Sequence, residues 1–192
     1  MTDYRTLGRT GLRVSRLGLG VMTYGWGADK ASARQMFDLY RERGGNFFDT
    51  ADTYAAGESE TWLGEFVDDS RSGDEVVIAT KFSFNAQQGN PNAGGNGRKN
   101  ILRALKGSLR RLRTDYVDLY MVHAWGRVTP VDEVMRTLDD VVRAGKVRHI
   151  GFSNVPAWYA PHGAQYAPWR PLDDRAHQPG SFSGSGIARS AD

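Results

Sequence analysis

Cysteine is absent from this 192-residue chain, which excludes disulfides, thiolate metal sites and cysteine nucleophiles. Histidine is scarce. The four present, His123, His149, His162 and His177, are scattered without ligand spacing or an accompanying acidic cluster, so no metal centre is expected. A strong charge of either sign is also lacking: 25 basic against 22 acidic residues leave a net +3, too little for a nucleic-acid stripe. The N-terminal stretch from Met1 to Arg16 carries Arg5, Arg9, Arg13 and Arg16 and has no continuous apolar run of signal-peptide or membrane-span length. The expectation is a cytoplasmic protein with no nucleic-acid and no membrane partner. Its 40% hydrophobic content is enough for one globular domain.

What is present is an alternation. Two short segments between Tyr4 and Val14 flank Gly8-Arg9-Thr10-Gly11 and predict a β-hairpin. Ser15 to Met22 then reads as a glycine-rich strand. Ala33, Met36, Phe37 and Tyr40 recur at the spacing of one helix face, and Gly44-Gly45 supplies the stop. Asn46 to Phe48, Val76 to Ala79, Val117 to Val122 and Val147 to Phe152 read as further strands. Between them, Trp62, Leu63, Phe66 and Val67, then Ile101, Leu105, Leu109 and Leu112, then Val131, Val134, Leu138 and Val141, stripe three more helices. Strands apolar on both faces, alternating with amphipathic helices, imply a parallel sheet covered by helices.

An open doubly wound sheet and a closed (β/α)8 barrel both fit that pattern. The open sheet calls for G-x-G-x-x-G after its first strand, whereas here Gly18 and Gly20 are followed by Met22-Thr23-Tyr24 before Gly25. Polar residues instead gather at the C-terminal ends of successive strands, where a barrel builds its active site. Asp49, Tyr54, Lys81 and His123 occupy such positions. Carbonyl reduction by a nicotinamide needs a proton donor and groups that polarise the carbonyl. Tyr54 is the candidate acid, Lys81 the cation that favours its phenolate, Asp49 the carboxylate that holds the ammonium, and His123 a hydrogen-bond donor to the substrate oxygen. Each also has a plain structural reading: a turn start, a loop tyrosine, a solvated strand end, a packed imidazole. Four at consecutive strand ends, in roles that complete one mechanism, favour the site. The basic residues of the third helix, Arg103, Lys106, Arg110, Arg111 and Arg113, read as a solvated face. Asn85 to Gly97 reads as a long loop over the barrel mouth.

The segments Asn46-Phe-Phe-Asp49-Thr-Ala-Asp-Thr-Tyr54, Thr80-Lys81, Tyr120-Met-Val-His123 and Gly151-Phe-Ser153-Asn154 resemble the signatures of the aldo-keto reductase superfamily. The opening from Tyr4 to Ser15 and Leu17-Gly-Leu-Gly20 add to the likeness, which runs to about Tyr159 and is nearest to the bacterial branch related to potassium-channel β subunits. The resemblance implies a TIM (β/α)8 barrel preceded by a hairpin, NADPH bound without a Rossmann motif, and reduction of small aldehydes or ketones. It implies Tyr54 as general acid and base, Asp49 and Lys81 as its tuning pair, and His123 as the substrate-orienting group. Val21, Met22, Asp49, Ser153 and Asn154 would meet the cofactor. Gly126 stands where related sequences commonly carry an acidic residue.

Near Ala160 the pattern stops. Pro161 to Asp192 holds only Leu172 and Ile187 as aliphatic residues, with Pro161, Pro168, Pro171 and Pro179 and a Ser/Gly run from Ser181 to Gly186. The expected organisation is residues 1–160 as about five of the eight βα units of a barrel and 161–192 as an unrelated, disordered tail, either natural or the product of a frameshift. Such a chain is expected to leave apolar interior and sheet edges open to self-association, and to be an inactive copy. A non-catalytic nicotinamide-binding regulatory protein, like a channel β subunit, is the alternative.

Overall fold

In the computed structural model, residues 3–8 and 10–164 are described. The predicted hairpin forms from β1 (Tyr4–Thr6) and β2 (Arg13–Ser15), antiparallel with Tyr4 opposite Ser15. Five parallel strands follow: β3 (Leu19–Gly20), β4 (Phe47–Asp49), β5 (Val77–Phe82), β6 (Val117–Val122) and β7 (Val147–Phe152). They lie side by side in chain order. That order decides between the two architectures, because a doubly wound sheet reverses direction at a switch point and this one never does. The chain is α/β and forms the N-terminal part of a (β/α)8 barrel. The glycine-rich run expected as one strand is split, since it bends after Ser15 and contributes only Leu19 and Gly20 to the parallel sheet. At Gly18 a side chain would press within 3.0 Å of the Phe47 ring.

The helices α1 (Lys30–Glu42), α2 (Glu58–Asp69), α3 (Arg98–Leu112) and α4 (Val131–Arg143) lie between the strands. Along each strand the period of two sorts side chains to two sides. Phe48, Ile78, Tyr120, Val122, Ile150 and Phe152 face the helices and join Phe37, Leu63, Phe66, Ile101, Leu105 and Leu138 in the main core. Phe47, Val77, Ala79, Leu119 and Met121 form the inner face, on which Val14, Leu7 and Leu12 of the hairpin region pack. These inner residues are buried, so the expected exposure of the apolar interior is corrected. The hairpin floors the concave side, and Leu119 and Met121 fold into the space left by Gly151. Among the described residues β3 and β7 do pair on one side only.

Three further departures have local causes. Met36, placed on the buried face of α1 by its spacing, is 44% exposed, while Ala33 and Phe37 carry that contact. A short helix α5 (Tyr159–Ala164) crosses the point where pattern was expected to end. Pro161 is tolerated there because it falls in the first helical turn, where a backbone N–H has no intrahelical partner in any case. The basic face of α3 is only partly solvated: Arg111 pairs with buried Glu60, Arg103 bonds Asn100 and Ala93, and Arg113 pairs with Glu65 and Asp68. The expected tail lies, from residue 165 on, outside the described residues.

Candidate active site

The register of the sheet brings the sequence-derived residues to one rim. Asp49 ends β4 opposite Ala79 of β5, Lys81 lies two residues further along β5 opposite Met121, and His123 follows β6 directly. Lys81 is 3% exposed. Its ammonium donates to Asp49 Oδ2 at 2.6 Å and to the Thr50 carbonyl at 3.0 Å, and lies 3.4 Å from the Tyr54 hydroxyl. Its three protons thus meet three acceptors, and one of these is the phenol oxygen. Burial pushes the Asp49 carboxyl above the ordinary carboxylate range, against the pull of the Lys81 ammonium.

Tyr54 opens a tight turn, Tyr54–Gly57, whose next three residues are all left-handed: Ala55 at φ 47°, Ala56 at φ 55° and Gly57 at φ 94°. Left-handed backbone costs an L-residue roughly 1–2 kcal/mol, and such strain collects where geometry is imposed for function. Gly57 is required twice over, since a Cβ there would stand 2.8 Å from Arg111.

His123 is held from three sides. Its N–H donates to the Phe82 carbonyl at 2.8 Å and to the Ser83 hydroxyl at 3.1 Å, and its carbonyl accepts from Asn154 Nδ2 at 3.0 Å. The ring stands edge-on to Tyr54 at 5.7 Å and to Phe84 at 4.7 Å between centroids. Burial, and then the charge on Lys81, push its pKa down to about 4, so at neutral pH it is an uncharged imidazole with one donor and one lone pair. Among the described residues Nδ1 has no partner. The expected result in an NMR titration is a His123 midpoint near 4, not near 6.5. The linked stability is full above pH 6.5 and falls as pH drops towards 4, by up to about 3 kcal/mol. A His123 midpoint above 6 would contradict this.

Ser153 and Asn154 follow β7 on the same rim. Asn154 Nδ2 also donates to Ser153 Oγ at 3.0 Å, so both its side-chain protons are committed within the protein, and its backbone carbonyl accepts from the Trp125 N–H at 3.3 Å. Val21 is fully buried; its N–H donates to Asp49 and its carbonyl accepts from Ser59 Oγ at 2.7 Å. The Met22 carbonyl accepts from Trp26 Nε1. Sequence reasoning missed Thr50 as an acceptor for Lys81, Ser83 as the hydroxyl beneath His123, and Asn154 as its tether. None has a local signal, because each acts across strands that are distant in sequence. The loop from Asn85 to Gly97 is pinned by Gly95 N–H on the Ser83 carbonyl, by Arg103 on Ala93, and by Asn96 on Ala124.

The Aldo/keto reductase family model matches residues 16–166. The chain belongs to the aldo/keto reductase family. It is 42% identical over 160 residues to norsolorinic acid reductase of Aspergillus flavus, across 77% of this chain and 41% of that protein. It is 38% identical to norsolorinic acid reductase B of Aspergillus parasiticus, across 87% of this chain and 47% of that one. An aryl-alcohol dehydrogenase of Pestalotiopsis microspora is 38% identical, across 81% and 44%. The likeness is therefore with fungal reductases, which corrects the bacterial branch expected from the sequence. The chain spans less than half the length of these relatives. Among the described residues no helix is long and apolar enough to cross a membrane.

Proposed function

We propose that Tyr54, Lys81, Asp49 and His123 carry the proton-transfer half of an NADPH-dependent reduction of an aldehyde or ketone to an alcohol. The observation that carries this reading is the Lys81 ammonium, buried and shared between Asp49, Thr50 and Tyr54. A cation beside the phenol favours the phenolate that remains once the proton has left, and Asp49 fixes the cation in that place. The neutral His123 ring can donate one hydrogen bond to the carbonyl oxygen without competing for the proton that Tyr54 gives. The site suits a nicotinamide, since the Ser153 and Asn154 side chains lie together on the rim, where they can meet a primary carboxamide, and Asp49 Oδ1 is a buried acceptor with no partner among the described residues. NADPH, when bound, supplies the hydride to the carbonyl carbon, while Tyr54 gives its proton to the oxygen and regains one from solvent. The names of the relatives point to aromatic carbonyls as the first substrates to try.

Two proteins test this: the 192-residue chain, and the same chain joined after Ala160 to the C-terminal portion of a norsolorinic acid reductase. With NADPH and an aryl aldehyde, loss of the reduced nicotinamide absorbance matched by alcohol formation is expected of the joined protein. The 192-residue chain alone is expected to be inactive, because it spans less than half the length of these relatives. A joined protein that quenches its tryptophan fluorescence with NADPH but reduces no carbonyl would sink the reductase reading and favour a nicotinamide-binding regulatory protein.

A further inference from the structure

Behind the strand end that carries Tyr54 lies a second ionisable cluster that the reaction does not use. Asp52 is 2% exposed, and among the described residues neither of its carboxyl oxygens has a hydrogen-bond partner. Glu60, fully buried on α2, is saturated by contrast. Its Oε1 accepts from the Thr80 hydroxyl at 2.5 Å and its Oε2 from the Arg111 guanidinium at 2.6 Å. Arg103 is committed to Asn100 Oδ1 at 2.7 Å and to the Ala93 carbonyl at 3.1 Å. The groups that face Asp52 are thus Glu60 from α2, Arg103 and Arg111 from α3, and Tyr120 from β6. Lys81 of β5 meets it through the backbone, where the Asp52 N–H donates to the Lys81 carbonyl at 3.1 Å.

Two buried carboxyls therefore lie close enough for each charge to act on the other, and Arg111 already serves Glu60. A second negative charge there meets desolvation and a like charge at once. Burial first, and the Glu60 charge second, raise the Asp52 pKa to about 7.

We propose that Asp52 is a positioning residue for Tyr54: as the buried neutral acid it leaves the 51–54 turn in its reactive geometry, and on ionisation beside Glu60 it displaces that turn. The connections are short. The Tyr54 N–H donates to the Ala51 carbonyl at 3.2 Å, Asp52 is bonded to Lys81 through its backbone, and Thr80, held by Glu60, directly precedes Lys81. Any shift of Asp52 away from Glu60 thus acts on the two segments that set the distance between the ammonium and the phenol. The sign follows from the raised folded-state value: the stability this group contributes is full below about pH 4 and is lost as pH rises through about 7.

The variant is Asp52→Asn, whose amide copies the neutral acid in shape. Unfolding of the 192-residue chain is followed between pH 5 and pH 8. The folding equilibrium constant of the variant is expected to gain at least about tenfold on the wild type over that range, one pKa unit being a factor of ten. Infrared spectra at pH 6 should show a protonated-carboxyl stretch in the wild type that the variant lacks. The kinetic arm rests on the proposed reductase reading and uses the joined protein: the fall in kcat between pH 6 and pH 8.5 should be smaller in Asp52→Asn, with KM for NADPH following the wild type. Parallel stability curves, a variant that fails to fold at pH 5, or no infrared difference would overturn the neutral acid. Parallel kcat profiles beside a confirmed infrared band would overturn the positioning role alone. A joined protein without turnover would count against the reductase reading and leave the stability and infrared arms to decide on Asp52.

Discussion

Replacing Tyr54 by phenylalanine in the joined protein is expected to lower carbonyl reduction by roughly two to four orders of magnitude, the usual share of a general acid, while NADPH affinity stays within about twofold. The substitution removes one hydroxyl and keeps the ring that stands edge-on to His123. The strained turn and the Lys81–Asp49 pair do not depend on that hydroxyl, since the ammonium keeps Asp49 Oδ2 and the Thr50 carbonyl as acceptors. What is lost is the proposed proton donor, so kcat should carry the whole loss and KM for the cofactor almost none of it. Stopped-flow measurement of hydride transfer, beside a fluorescence titration with NADPH, separates the two. A variant that keeps more than about a tenth of the wild-type rate would remove Tyr54 from the role of acid.

Among the substitutions, Gly64→Ala should destabilise the fold most through packing. A Cβ on Gly64 would lie 2.5 Å from the Arg111 carbonyl oxygen and 2.7 Å from the Leu112 backbone, so the obstacle is main chain and no rotamer can relieve it. Helices α2 and α3 would have to separate at the point where Leu63 and Leu112 are buried and where Arg111 reaches Glu60. Alanine gains about 1 kcal/mol over glycine in a helix interior, and overpacking of this kind costs about 1–3 kcal/mol, occasionally more. With backbone on the far side of the clash the upper end applies, and a net loss of about 2 kcal/mol is expected. Urea denaturation followed by far-UV circular dichroism measures it, and an unchanged midpoint would show that the helices separate at little cost. The same change should also disturb Tyr54, because the Arg111 side chain that would shift packs against Gly57 in the turn.

Much of this molecule is readable along the chain. The hairpin follows from its glycine-bearing turn, the strands from short apolar runs and the helices from a period of 3.6, all of them local properties of the chain. The rim residues were legible for a related reason: each strand ends where apolar residues give way to polar ones, and Asp49, Lys81 and His123 sit at or just past that point in β4, β5 and β6. Composition alone, through the missing cysteines, excluded disulfides, thiolate metal sites and cysteine nucleophiles from this chain. Tertiary structure decided the rest. It set the strand order that separates a barrel from an open sheet, and it brought the Lys81 ammonium against the phenol of Tyr54, 27 residues away in the chain. It turned part of a basic helix face into the partner of buried Glu60, left Asp52 beside that pair, and made Asn154 the tether of His123. These contacts join residues far apart in sequence, and the free energy of a buried charge depends on what else shares its volume, a quantity that no local pattern encodes.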